Sequence, residues 1–293
     1  MRFQISGAVK ALAAVASVAV LASIAQAPAT AATRKLLWSE EFNAKKVSGI
    51  NTKNWDYDLG DGYGWGNSEQ EYYTKDRANI RVNGKGQLEI VAKRIPNDSM
   101  ILDRCFTCQF TSAKIKTAGL LGFKYGRLEA KMKLPAGKGT WPAFWMLGSG
   151  LLKGGTWPEV GEIDIMEAAG SRPNDANGTI HGPGYFGTEG SQKGSVFTSL
   201  DGALSNKYHV YAIEWTKDRI DWYVDNNLYF TATAADVAPN KWVFNNEFYL
   251  IINLATGGNF EPNIDPMLQQ ATMSIDYIRY YTKDGQGKLY KRK

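Results

Sequence analysis

From about residue 34 onward, apolar and polar residues alternate with a period of two rather than recurring every three or four positions. In "YGRLEAKMKLP", Leu128, Ala130, Met132 and Leu134 interleave with Arg127, Glu129, Lys131 and Lys133. In "RIDWYVDNNLYF", Ile220, Trp222 and Val224 share one face, and Asp225-Asn226-Asn227 reads as a hairpin turn before "LYFTA". Successive side chains leave a strand on opposite faces, so this alternation predicts half-buried strands. "QLEIVAK", "HVYAIEW", "FYLIINLA" and "MSIDYIRYY" add further short strands, punctuated by Gly, Pro and Asn. No internal repeat, low-complexity linker or break in composition divides them. The pattern predicts a single all-β domain over residues 33–293, a two-sheet antiparallel β-sandwich of the jelly-roll kind.

The first 32 residues read differently. Arg2 and Lys10 give a basic start, "ALAAVASVAVLASIA" is apolar and uncharged, and small residues follow at "AQAPATAA". Ala29-Thr30-Ala31 fits a small-x-small cleavage rule, so residues 1–32 are expected to be a signal peptide and the protein to be secreted. Its removal lowers the formal net charge from +5 to +3. That excess is too weak and scattered to argue for nucleic acid. No later run is long and apolar enough to cross a bilayer, and a monomer is expected. Cys105 and Cys108, in "RCFTCQF", suit a short-loop disulfide in a surface excursion of an exported protein. A redox pair would want a βαβ setting, and zinc would want more ligands than the two histidines, His181 and His209, supply.

Nine Trp, fifteen Tyr and twelve Phe are more than packing alone requires. Trp38 and Trp222 lie inside alternating strands and read as core. Trp65, in the Gly-rich "GDGYGWGNSEQEYYT", Trp141 and Trp145, in "GKGTWPAFWML", and Trp157 do not fit that pattern as well. Flat aromatic faces suit a carbohydrate site, where sugar C–H faces stack and hydroxyls bond at the edges.

Trp157 introduces the most informative stretch, "WPEVGEIDIMEAAG". Glu162 and Asp164 are two apart and would share a strand face, whereas Glu167 stands an odd number of steps from Glu162. In a helix the later two acids would lie about 200° and 140° from the first and face nothing in common. One extra residue at Ile165-Met166, a β-bulge, would return Glu167 to the face of the other two and send Ile163 and one of the pair inward. No basic residue lies between Lys153 and Arg172 to balance three acids. Two glutamates with an aspartate between them, near tryptophans, is the arrangement of retaining glycosidases, whose two carboxyl groups stand about 5–5.5 Å apart. A flat strand would hold them too far apart, so a concave sheet and cleft are expected.

"GEIDIME" resembles the signature of glycoside hydrolase family 16, in the bulged form of laminarinases, agarases and carrageenases. "LLWSEEFN", "GWGNSEQEYYT", "YGRLEAKMKLPAGKGTWPAFWML", "HVYAIEWTKDRIDWYVD", "FYLIINLATGG" and "IDYIRYY" follow in family order, so the resemblance covers nearly all of the chain beyond residue 32. Within that group "GNSEQEYYT" and "GTWPAFWML" look most like endo-β-1,3-glucanases. The resemblance implies Glu162 as nucleophile, Glu167 as general acid/base, and Asp164 as the group that orients the nucleophile. It places His181, in "TIHGPG", near the acid/base. Asn67, Arg127, Trp141 and Trp145 match positions lining the donor side of the cleft, with Trp65, Trp157, Trp215 and Asn253 as further substrate contacts. Glu159, in "WPEVGEID", departs from the pattern by adding charge beside the site. Many relatives also hold a structural calcium ion, which the match would place at the Asp276 carboxylate with backbone oxygens near Glu41 and Gly86. No cofactor is expected for catalysis.

Three functions follow in order. The first is a secreted, retaining endo-β-1,3-glucanase acting on laminarin-type β-glucan. The second is the same chemistry on mixed-linkage glucan or an agar-type galactan; the acid-rich site argues against a sulfated polymer. The third is a glucan-binding lectin, which the presence of both glutamates disfavours.

Overall fold

The computed structural model describes residues 34–187 and 193–292; the expected signal peptide lies outside them. The alternating segments form two sheets. In one, the strands run in the order Lys193–Thr198, Asp175–His181, Glu162–Glu167, Thr140–Gly148, Phe248–Thr256, Lys114–Lys116 and Asp56–Asp58, antiparallel throughout. The other centres on Gly126–Lys133, flanked by His209–Trp215 and the long Gln270–Tyr281 strand. Among the described residues its one parallel pairing joins Glu71–Tyr73 to Phe110–Ser112, and helix is confined to short 3-10 turns. Among the described residues no helix is long and apolar enough to cross a membrane.

Period two becomes burial as expected. Leu128, Ala130 and Met132 are buried between the sheets, as are Ile213, Ile220, Trp222, Val224, Phe144, Met146, Ile163, Leu250 and Ile252. The interior is continuous from one end of the sandwich to the other. A smaller satellite forms beneath the loop after Leu88–Arg94, where Ile95, Cys105 and Cys108 pack with Tyr72, Ile101 and Leu102. Cys105 and Cys108 are disulfide-bonded, as the spacing led us to expect.

The outward face of the first sheet carries the cleft. Its centre is the Thr140–Gly148 strand, where Trp141, Ala143 and Trp145 face outward two residues apart and Phe144 and Met146 point into the core. The small Ala143 side chain leaves space between the two indoles, opposite Asn253 on one neighbouring strand and Glu167 on the other.

Candidate active site

The three acids lie on the strand beside those tryptophans, and the strand is bulged. Against Asp175–His181 the register runs Asp164 to Thr179 and then Glu167 to Asn177, so Ile165 and Met166 together face only Gly178. On the other side Trp145 pairs with Asp164 and Phe144 with Met166, passing over Ile165. Ile163, Ile165 and Met166 are all buried in the core, while Glu162, Asp164 and Glu167 line one pocket. A bulge interrupts the ladder and leaves backbone groups to be satisfied elsewhere. Here the fully buried Trp222, from the opposite sheet, donates its indole N–H to the Asp164 carbonyl at 2.8 Å. Asn177 donates to the Glu167 carbonyl at 3.1 Å. Gly178 makes the first of these contacts possible, since a Cβ there would stand 2.5 Å from both the Trp222 ring and the Tyr229 hydroxyl.

The two glutamates each accept from an indole rather than from a lysine or arginine. The Trp157 indole N–H donates to Glu162 at 2.7 Å and that of Trp141 to Glu167 at 2.9 Å. His181 Nε2 lies 3.1 Å from Asp164 Oδ2 and 3.9 Å from Glu162 Oε1. Burial pushes Glu162 up to about 8, with the neighbouring Asp164 charge adding to it and the Trp157 hydrogen bond opposing it. Asp164 is raised well above the carboxylate range by burial and then by the Glu167 charge. Burial also raises Glu167, against the Trp141 hydrogen bond. Three buried acids within reach of one another cannot all ionise near neutrality. A proton kept on Asp164 removes the charge that most disfavours ionised Glu162. The cluster therefore holds at least one proton at neutral pH and can both attack and donate. Glu162, Asp164 and His181 also offer ligand atoms within 4.8 Å of one another, so a cation entering the cleft would compete for the same groups.

From the acids the pocket extends along Trp141 and Trp145 to Trp65, Asn67 and Glu69. Its floor is a hydrogen-bonded row. Trp145 donates to Asn253 at 2.8 Å, Asn253 donates to the Tyr73 hydroxyl at 3.1 Å, and that hydroxyl donates to Glu69 at 3.2 Å. Lys114 is the single basic side chain in this lining, with its ammonium 4.3 Å from the Trp65 ring and 5.3 Å from that of Trp145. Desolvation lowers its pKa, against the pull of Glu69 and Asp58. Glu71 nearby is wholly buried and raised well above the carboxylate range by desolvation and by Glu69; the Thr256 amide donates to it at 2.7 Å. Lys114 and Glu69 were absent from the sequence-based site. The outward face of "SAKIK" was the signal for the first and the uncompensated Glu69–Glu71 pair for the second.

The structure gathers Glu162, Asp164, Glu167, His181, Asn67, Trp65, Trp141, Trp145, Trp157 and Asn253 about one cleft. Two expected substrate contacts lie elsewhere. Arg127 is on the other sheet, buried among Glu129, Glu214 and Asn226, because the polar positions of "YGRLEAKMK" face away from the core on the far side of the sandwich. Trp215 is a core residue whose indole N–H donates to the Phe244 carbonyl at 2.9 Å. Glu159 is exposed and borders a separate pocket with Lys153, away from the acids. The side chains expected near calcium have other partners. Asp276 is paired with Lys131 at 2.8 Å, and the Glu41 carboxylate is held by the Arg279 fork at 2.9 Å. No group of three acidic or histidine ligands forms there among the described residues.

The model for glycosyl hydrolases family 16 matches residues 67–279. The chain is 39% identical over 257 residues to a beta-glucanase of Rhodothermus marinus, covering 84% of this chain and 85% of that protein. It is also 39% identical over 264 residues to glucan endo-1,3-beta-glucosidase A1 of Niallia circulans, spanning 84% of this chain and 37% of that longer protein. Among solved structures it resembles the laminarinase catalytic domain of Thermotoga maritima, with a TM-score of 0.77, 38% identity, and coverage of 85% of this chain and 98% of that one.

Proposed function

The chain belongs to glycosyl hydrolase family 16, and from that premise we propose that it is a secreted endo-β-1,3-glucanase acting with retention of configuration. The observation that carries the proposal is the bulged strand, which turns three acids without a cationic partner into one indole-lined pocket. The relatives named for β-1,3-glucan or laminarin support the substrate class.

In the proposed reaction an ionised Glu162 attacks the anomeric carbon while Glu167 protonates the glycosidic oxygen, which leaves with the bonding pair. A covalent glycosyl-enzyme forms. Glu167, now a carboxylate, takes a proton from water, and that water displaces Glu162 from the anomeric carbon. Asp164 holds a proton between the two and hydrogen-bonds Glu162, so the nucleophile need not ionise beside a second charge. His181, with Nε2 3.1 Å from Asp164, positions that carboxyl. The tryptophan faces hold sugar rings, and water is excluded as the glucan fills the cleft.

The test is a panel of laminarin, mixed-linkage glucan, agarose and carrageenan, scored by new reducing ends and by the anomer first formed. Fastest release from laminarin with β-anomer product is expected. An α-anomer as first product would overturn retention, and fastest release from agarose would overturn the substrate. Mixed-linkage glucan is the second reading, supported by the Rhodothermus relative being named simply a beta-glucanase.

A further inference from the structure

A cavity larger than the acid pocket adjoins it. It measures about 780 Å³ and is walled by the Gly-rich loop and the disulfide loop, with Tyr63, Arg104, Phe106, Gln70 and Glu69 among its lining. That size lies within the range of about 300–1,000 Å³ common to small-ligand sites. Glu69 lines both this cavity and the acid pocket, so the two meet at that residue.

Two features of its walls go beyond what folding requires. Tyr63 is 98% exposed and Phe106 91% exposed. Tyr63 also sits at φ 53°, in the left-handed region that non-glycine residues disfavour. Its neighbour Trp65, also left-handed at φ 50°, is stacked on Tyr73 with ring centroids 5.5 Å apart. Gly62 gives that indole room, since a Cβ there would come within 2.4 Å of it. The loop is thus anchored at Trp65 while it holds Tyr63 out. Phe106 is displayed in a similar way. It lies between the bonded Cys105 and Cys108, both buried in the satellite core, in a turn where the Cys108 amide donates to the Cys105 carbonyl. Strained backbone and a cross-linked turn that each expose an aromatic ring to one cavity are features of a ligand clamp.

We infer that this cavity is a further glycan subsite, in which Tyr63 and Phe106 grip a sugar unit of the same polysaccharide several residues from the bond being cleaved. The inference rests on the β-glucan reading above, and the occupant is set by that meeting point: a chain lying along Trp141, Trp145 and Trp65 passes Glu69 into this cavity. Arg104, Gln70 and Glu69 supply edge hydrogen bonds to sugar hydroxyls, and the two rings supply the flat faces. The site makes the enzyme prefer long chains and biases the length of its products.

The experiment measures kcat/KM on β-1,3-gluco-oligosaccharides of increasing length for the wild type, the double variant Tyr63→Ala/Phe106→Ala, and Phe106→Tyr in the Tyr63 background. In the wild type kcat/KM rises with length until the cavity is reached. In the double variant the ratio of long to shortest cleaved oligosaccharide falls about tenfold, the size of one lost aromatic contact. Phe106→Tyr, which keeps a flat ring, retains the rise. Both side chains are exposed, so an unchanged melting temperature accompanies the loss. Equal length dependence in wild type and double variant overturns the subsite while leaving the glucanase reading intact. Failure of the wild type to cleave any of these oligosaccharides overturns the glucanase reading and the subsite with it.

Discussion

Two groups of buried carboxylates sit back to back across this sandwich, and they are handled in opposite ways. On the far sheet Glu214 is contacted by Arg34, by Arg127 at 3.4 Å and by Lys283 at 3.2 Å, and Arg127 also holds Glu129 at 2.7 Å. On the cleft sheet Glu162, Asp164 and Glu167 have two indoles and one histidine beside them, and no ion pair with a lysine or arginine among the described residues. Both arrangements bury charge, which is costly unless it is paired. The far cluster offsets that cost with cations. The cleft cluster offsets it by holding protons, and a held proton is what an acid catalyst needs. The absence of compensation, more than the presence of acids, separates the reactive face from the structural one.

The contrast can be broken from either side. The largest expected effect is on turnover: Glu162→Gln or Glu167→Gln lowers kcat by about a thousandfold or more on laminarin, while the far cluster keeps the protein folded. A variant of either residue within tenfold of wild type would remove it from the proposed reaction. Arg127→Met should do the reverse. It leaves Glu214 and Glu129 short of a partner and costs about 3–5 kcal/mol of stability in denaturant melts, with the rate per folded molecule unchanged. If activity fell and stability did not, Arg127 would belong to the cleft after all.

A third change acts on the bulge alone. Gly178→Ala drives a methyl group against Trp222 and Tyr229, so it should cost about 1–3 kcal/mol and lower kcat, because the indole that holds the Asp164 carbonyl is displaced. A fully active, fully stable variant would mean that the bulge does not need this support.

The smallest effect is in pH dependence, and its sign follows from the raised acids. Glu162 goes from 4.5 in the unfolded chain to about 8 in the fold, so between those values the native state holds a proton that the unfolded chain has released. Stability contributed by this group therefore falls as pH rises through that window. Glu162→Gln does not titrate, and it should gain on the order of 1–3 kcal/mol over wild type at pH 8 and nothing at pH 4. Parallel stability curves across pH for the two proteins would show Glu162 to be unshifted. Asp164→Asn keeps that position neutral, as the proton held on Asp164 does, so the acid limb of kcat/KM should stay where it is in the wild type, and a limb moved to lower pH would show that Asp164 carries a charge beside Glu162.

Much of this was readable from residue order. The odd step from Asp164 to Glu167 predicted a bulge at Ile165-Met166, and the ladder slips there. That inference worked because it used only local geometry: a strand has two faces, and three acids among apolar neighbours must choose one. Trp141 and Trp145 were legible for the same reason, being four apart, an even step that keeps both on one face of a strand. Arg127 and Trp215 were misplaced because period two says which residues share a face and not which of two sheets, or which side of the core, that face belongs to. Lys114 and Glu69 were missed because each stands on a short segment whose meaning depends on strands far away in sequence. Asp276 suggested a cation site by family position; that its carboxylate pairs with Lys131, on the neighbouring strand, could not be read from residue order.

The sequence by itself determined the class of fold, the bulge and the identity of the three acids, since each rests on the chirality and period of the backbone within a few residues. Only the tertiary structure decided which charges are compensated. Arg127 and Glu214 are 87 residues apart and meet through strand pairing, while Glu162, Asp164 and Glu167 meet tryptophans and a histidine but no arginine. Compensation depends on distances of a few ångströms between distant segments, and those distances exist only once the sheets have paired.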